Sequence, residues 1–285
     1  MKKIIVTGAN GQLGSEIREL SKNSAHEFLF IDIEDLDLTV AEDVLQFLGN
    51  EQPDYIINCA AYTAVDKAES DRETAYAINA EVPDRLEKYC AGANCRLIHI
   101  STDYVFSGEA FSPLSETDPV GPASVYGKSK LAGETALLNN PHCITVRTSW
   151  LYSSFGNNFV KSMLRLFNER DELGIVFDQV STPTYAADLA KVIMHIIDGG
   201  DQQFIPGVYH YSNEGLASWY DFAFEILLQS GENCRLTPIL TDAYPLPAPR
   251  PQYSVLNKEK IKETFSIEIP HWKTSLVHCL EIIKR

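Results

Sequence analysis

Long apolar runs are missing from this chain of 285 residues, and with them the stretch of roughly 20 residues that a membrane-spanning helix needs. Positive charge is scarce too: 24 Lys and Arg stand against 39 Asp and Glu, a formal net charge of −15. Neither a nucleic acid nor an anionic membrane is a fitting partner, because both require clustered cations. No Cys-x-x-Cys pair occurs among the six cysteines, at 59, 90, 95, 143, 234 and 279. Several lie in apolar runs, where a reduced cysteine behaves as a small hydrophobe, so they read as buried thiols in a reducing cytoplasm. The apolar run behind Lys2 and Lys3 ends at Thr7 and Gly8, far short of the core of a secretion signal. Internal repeats and low-complexity segments are absent.

Apolar residues make up 45% of the chain, ample for a large core. The runs KKIIVTG, HEFLFID, DYIINCA, RLIHIST and CITVRTSW are short, β-branched and nearly continuously apolar, as parallel strands covered on both faces are. Segments with helical spacing lie between them. This alternation predicts an α/β fold with a doubly wound parallel sheet of Rossmann-like type. The regularity loosens after Trp150, which places a nucleotide-binding domain at 1–150, with a return segment near 178–200, and a smaller C-terminal substrate lobe over most of 151–285. Residues 237–254 are dense in proline, which argues against helix and central strand alike and reads as an ordered loop or a linker.

The stretch VTGANGQLG sets Gly8, Gly11 and Gly14 between a strand and a helix. Gly8 permits the tight turn, Gly11 lets backbone approach a pyrophosphate, and Gly14 lets helix and strand pack closely. The phosphates then meet the unpaired N–H groups of the helix N-terminus. Asp32 ends the next strand, where a carboxylate accepts from an adenosine ribose and repels a 2'-phosphate. No Lys or Arg follows it before Lys67, so NADH is favoured over NADPH. A solvated loop acid is the plain alternative for Asp32.

The fourth run ends on Ser101, Thr102 and Asp103, at the edge where open α/β sheets bind ligands. Tyr126 and Lys130 follow one helical turn apart, so both project from one face. A tyrosine of ordinary pKa is a poor acid–base catalyst at neutral pH; a neighbouring ammonium and an oxidised nicotinamide would stabilise its phenolate. This expectation gives Tyr126 the proton, Thr102 the substrate oxygen and Lys130 the nicotinamide ribose. An exposed pair on a surface helix is the bland alternative.

These residues, together with NCAAYTAVDKAE (58–69), STDYVFSG (101–108), VYGKSKLAGE (125–134), RTSWLY (147–152), NNFVKSML (157–164), DQVSTPT (178–184) and RPQYSVL (250–256), resemble the extended short-chain dehydrogenase/reductases. More narrowly, the chain is similar to the dTDP-4-dehydrorhamnose reductase family. That resemblance implies NAD(P)H-dependent reduction of the C4 ketone of a dTDP-sugar, in the supply of precursors for cell-surface polysaccharide. It implies Thr102, Tyr126 and Lys130 as the catalytic trio. Gln12, Leu13, Asp37 and Leu38 would line the dinucleotide beside the glycines and Asp32, as would Ala61, Tyr62 and Thr63. Thr102, Asp103 and Trp150 would face the sugar nucleotide, although Trp150 on its own reads as core. Arg250 would meet the diphosphate, since a guanidinium suits paired phosphate oxygens. The proline-dense segment then closes over the nucleotide.

Val180 stands where the family often has glycine, which weakens the expected contact from that loop. Some relatives bind magnesium at a dimer contact, for which Glu16 is a position; an acid in a first helical turn is explained by the helix dipole, and no metal is predicted. The expected partner is a small-molecule dTDP-sugar, with the chain a cytoplasmic monomer or homodimer. Another nucleotide-sugar reductase, an epimerase or a dehydratase of the same fold is the alternative. Tyr104 occupies the place where dehydratases carry an eliminating Glu. A non-catalytic subunit resembling the regulator of methionine adenosyltransferase is a further alternative, against which the intact trio weighs.

Overall fold

A computed structural model describes residues 1–284. Its centre is a six-stranded parallel sheet made of β1 (Lys3–Thr7), β2 (Glu27–Ile31), β3 (Tyr55–Asn58), β4 (Arg96–Thr102), β5 (Cys143–Thr148) and β6 (Gly207–His210), in the spatial order β6-β5-β4-β3-β1-β2. The chain runs from β1 outward to β2, then returns past β1 to β3. A reversal of this kind opens a crevice beyond the carboxyl ends of the strands. Register aligns Thr7 with Asn58, Asn58 with His99, and Thr102 with Thr148.

Both faces of the sheet are covered, which is why its strands are apolar on both sides. One face packs Ile4, Val6, Ile57 and Val146 against α1 (Gln12–Ser21) and the later helix Ala186–Asp198. The other packs Ile5, Ile56 and Leu97 against α2 (Ala41–Glu51) and α3 (Val82–Ala93). The run GVYHYSN, which the sequence suggests for the C-terminal lobe, is β6 and pairs in parallel with β5. Helix Ala186–Asp198 crosses the sheet face just before it and delivers it to the open edge of β5, as a right-handed crossover must.

A second core lies beyond β5, where Val160, Phe167, Phe222, Ile226 and Trp272 pack together. Its strand Glu172–Val176 pairs with Arg235–Ile239 in a two-stranded sheet. The proline-dense segment therefore begins inside a strand, at Pro238, which an edge strand tolerates because one row of its N–H groups needs no partner.

Helix α4 (Val125–Leu137) carries Tyr126 and Lys130. Ser124 caps it, its Oγ accepting from the Gly127 N–H at 3.1 Å. Two glycines let α4 approach its neighbours closely: a Cβ on Gly127 would collide with the Tyr104 carbonyl, and one on Gly133 with the Asn79 carbonyl. A buried ion pair fastens α4 to the sheet. Arg147 of β5 donates through Nε to both Glu134 oxygens at 3.0 Å and through Nη2 to Oε2 at 2.7 Å. Both side chains are almost wholly buried, and the guanidinium also lies over the Phe106 ring. Removing one partner of such a pair leaves a buried, uncompensated charge, so Glu134→Ala should lose about 3–5 kcal/mol of stability, measured by urea unfolding. An unchanged midpoint would show that α4 is held some other way.

Candidate active site

The glycine turn forms because no other residue fits it. Gly8 has φ +62°, and a Cβ there would stand 2.7 Å from the Ala60 nitrogen. The Gly11 N–H closes the turn onto the Gly8 carbonyl at 3.0 Å. Asp32 Oδ2 accepts from the Asn10 N–H at 2.7 Å, so the end of β2 is tied directly to the turn. Asp35 accepts from the Asp32 N–H at 2.9 Å, which adds negative charge beside the half-buried carboxylate. Asp37 accepts from the Thr39 N–H and hydroxyl at 2.9 and 2.7 Å, and these bonds hold it below the usual carboxylate range.

A cleft of about 720 Å³ runs from this turn across the sheet edge. Gly8, Gly11, Gln12, Leu13 and Gly14 line one end with Asp32, Asp37 and Leu38; Ala61 and Thr63 line its flank. Tyr62 is not among the lining residues. Its N–H donates to Asn79 and its hydroxyl to Asp71, which ties the loop after β3 to residues 71–79. Three buried polar atoms of lining residues have no partner within the protein, namely Gln12 Oε1, Ser101 Oγ and Thr148 Oγ1. Unpaired buried groups of this kind are costly. With the glycine turn and an acid at the end of β2, they fit a long polar ligand such as a nicotinamide dinucleotide.

Thr102, Asp103, Tyr126, Lys130 and Trp150 all line the same cleft. Burial pushes the Tyr126 phenol up to about 12, with the Thr102 hydroxyl acting in the opposite direction. Lys130 Nζ donates to the Ile100 carbonyl at 2.6 Å and lies 3.4 Å from His99 Nε2. Burial brings this ammonium down to about 8, opposed by the charge of Glu134. The sequence suggests a phenol lowered by its lysine neighbour; here desolvation dominates the phenol and the lysine is bonded to β4.

Asp103 is buried just past the end of β4. Its Oδ2 accepts from Ser254 at 2.5 Å and Ser181 at 3.5 Å, and its Oδ1 accepts from Thr102 at 3.1 Å. Desolvation nonetheless raises it from 3.8 to about 6. Ser181 follows Val180, so the loop that departs from the family pattern reaches this carboxyl through its next residue. The adjoining backbone forms a strap: the Tyr253 N–H donates to the Gly108 carbonyl, the Val180 N–H donates to Gln252 while the Val180 carbonyl accepts from Ser254, and the Leu114 N–H donates to Val255. Arg250, expected at a diphosphate, lies outside the cleft lining and pairs with Asp66 through both terminal nitrogens at 2.5 and 2.6 Å.

Trp150 has φ +44°, a strained value for a bulky residue, and stacks on Trp219 with ring centroids 3.6 Å apart and 10° between planes. The Trp219 indole N–H donates to Gln179 at 3.2 Å. Trp219 also lines the cleft and is absent from the sequence reading, because it opens an apolar helix, Trp219–Ser230, that reads as core throughout. Glu16 lies beyond the first turn of α1, buried, and accepts from Ser153 at 2.6 Å, so the helix dipole does not explain it. Among the described residues no cluster of three or more His, Cys, Asp or Glu side chains is placed to hold a metal.

The family model described as "RmlD substrate binding domain" matches residues 1–285. A dTDP-4-dehydrorhamnose reductase of Aggregatibacter actinomycetemcomitans is 40% identical over 288 aligned positions, covering 97% of each chain. The crystal structure of a Clostridium acetobutylicum dTDP-4-dehydrorhamnose reductase superposes with a TM-score of 0.95 at 44% identity, over 99% of this chain and 100% of that one. A Bacillus anthracis dTDP-4-dehydrorhamnose reductase in complex with NADP gives 0.94 at 36% identity, over 99% of each. The chain belongs to the dTDP-4-dehydrorhamnose reductase family, on an extended short-chain dehydrogenase/reductase fold.

The buried Asp103 carboxyl generates a test. Its folded value near 6 lies above the unfolded 3.8, so its contribution to stability is full below about pH 4 and is lost as pH rises through 6. The difference corresponds to about 3 kcal/mol. Asp103→Asn should therefore gain on the native chain between pH 4 and pH 7, by up to that amount, in urea unfolding at the two values. A constant difference would mean that the carboxyl titrates normally.

Proposed function

We propose that this member of the family reduces the C4 ketone of dTDP-4-dehydro-L-rhamnose to the alcohol, giving dTDP-L-rhamnose in the supply of polysaccharide precursors. The observation that carries the reading is the convergence of Thr102, Tyr126 and Lys130 on one cleft with the glycine turn. A bound reduced nicotinamide dinucleotide supplies a hydride to the ketone carbon. Tyr126 gives its proton to the ketone oxygen, and its burial keeps the phenol protonated across the neutral range, the form a proton donor needs. Thr102, the last residue of β4, offers its hydroxyl to the same oxygen. Lys130 brings a positive charge to the α4 face that carries Tyr126, favouring the phenolate left behind.

At the other end of the cleft, the Trp150–Trp219 stack supplies a flat apolar wall for the deoxysugar. Asp103 aligns Thr102 and the strap. Arg250 is the proposed diphosphate cation, a role in which it would exchange the Asp66 carboxylate for phosphate oxygens. NADH is preferred over NADPH, because Asp32 is backed by Asp35 and followed by Glu34, and all three repel a 2'-phosphate. The enzyme works in the cytoplasm, in keeping with its six unpaired thiols, as a monomer or homodimer.

The purified chain should consume NADH with dTDP-4-dehydro-L-rhamnose and release dTDP-L-rhamnose, followed by nicotinamide absorbance and product identification. Tyr126→Phe should lower kcat by about 100-fold or more with dinucleotide affinity nearly unchanged; full activity in that variant would remove Tyr126 as proton donor. In the same assay NADH should serve at least as well as NADPH. A strong preference for NADPH would overturn the role given to Asp32.

A further inference from the structure

Behind the catalytic lysine lies a row of buried polar groups that the reduction as described does not use. Thr7, Asn58 and His99 are neighbours in register on β1, β3 and β4, and each is fully buried. Thr7 Oγ1 lies 2.7 Å from Asn58 Oδ1, Asn58 Nδ2 lies 3.0 Å from His99 Nδ1, and His99 Nε2 lies 3.4 Å from Lys130 Nζ. Three polar side chains of an apolar sheet and a buried lysine above them are expensive unless each bond has one donor and one acceptor.

That condition ties the row to the charge on Lys130. With the Asn58 amide nitrogen facing the ring, Nδ1 accepts, the ring proton sits on Nε2, and Nε2–H points at Nζ. This suits a neutral amine, which has a lone pair to offer. An ammonium has only donors, so Nε2 must accept, Nδ1 must carry the proton, and the amide oxygen must face the ring. Half a turn of the Asn58 amide makes that exchange, and the Thr7 hydroxyl satisfies either orientation because it both donates and accepts.

We propose that His99 is a positioning residue for the reduction: its neutral ring, set by Asn58 and Thr7, holds Lys130 Nζ against the Ile100 carbonyl and favours its ammonium form. The inference rests on the functional reading above. Burial and the nearby Lys130 charge keep the imidazole well below its ordinary value, so the ring remains an acceptor without competing for charge. The other groups facing Lys130 are Glu134 on its own helix, whose charge Arg147 already neutralises, and Cys59 after β3, whose thiol burial pushes up to about 12. Tyr126 lies on the same helix face and Asp103 lies beyond it; neither bonds Nζ. His99 is thus the side chain that hydrogen-bonds this nitrogen.

The test compares His99→Gln, His99→Asn and His99→Leu. A glutamine amide reaches the Nε2 position; an asparagine amide reaches only Nδ1. Losing the acceptor destabilises the ammonium and lowers its pKa, so the alkaline limb of the kcat profile should move down by about one pH unit in the Leu and Asn variants. A shift of that size corresponds to about tenfold in the ionisation equilibrium, and kcat at pH 9, above both values, should fall by a similar factor. The Gln variant should stay within about threefold, with its limb unmoved. Independently of turnover, the Lys130 Cε resonance, assigned by its loss in Lys130→Met, should titrate about one pH unit lower in the Leu variant than in the native chain. Asn behaving like Gln, or an unchanged Cε midpoint in any folded variant lacking the acceptor, overturns the proposal. Should the native chain fail to reduce the dTDP-sugar, the functional reading falls, while the Cε titration still decides the role of His99.

Discussion

The contact between Glu134 and Arg147 is the constraint on which the site depends. A catalytic helix laid across a sheet can slide or roll by a few ångströms at little cost in apolar burial, since one aliphatic neighbour is as good as another. A bidentate ion pair in a dry interior has no such tolerance, because misalignment strands two charges. The pair sets the angle of α4, and the Gly127 and Gly133 contacts set its distance. Tyr126 and Lys130 precede Glu134 by two turns and one turn, so their projection into the cleft follows from an interaction that touches neither.

Strand register does comparable work on the sheet side. Parallel pairing in step brings Thr7, Asn58 and His99 into one line and sets Thr102 beside Thr148. The polar line reaches Lys130 from beneath, and the edge carries Thr102 and Thr148, which line the cleft. A shift of one residue in β4 would exchange these faces and bury the wrong side chains. The apolar residues flanking His99 thus protect the chemistry as well as the core.

Much of this was legible in the sequence because certain chemistry demands certain residues close together. The glycine turn needs a residue without Cβ at position 8, and a tyrosine one turn from a lysine announces a shared face. Pairings over long sequence separation were not legible. Asp66 with Arg250, Asp103 with Ser254 and Glu16 with Ser153 join positions more than 130 residues apart, and no local pattern marks them. Trp219 escaped notice because apolar periodicity does not say which helix end opens onto a cavity. Strand β6 looked like part of the second lobe for the same reason: which edge a strand joins depends on the crossover before it.

The strap from Gln252 to Asn257 also bears on how the parts of the molecule hold together. It shares backbone bonds with residues 108 and 114 on one side and 180 on the other, so it rivets the two halves of the molecule together across the back of the cleft. Five main-chain bonds carry that rivet, so it holds whatever side chains the strap presents, and the halves cannot part there without stranding backbone groups.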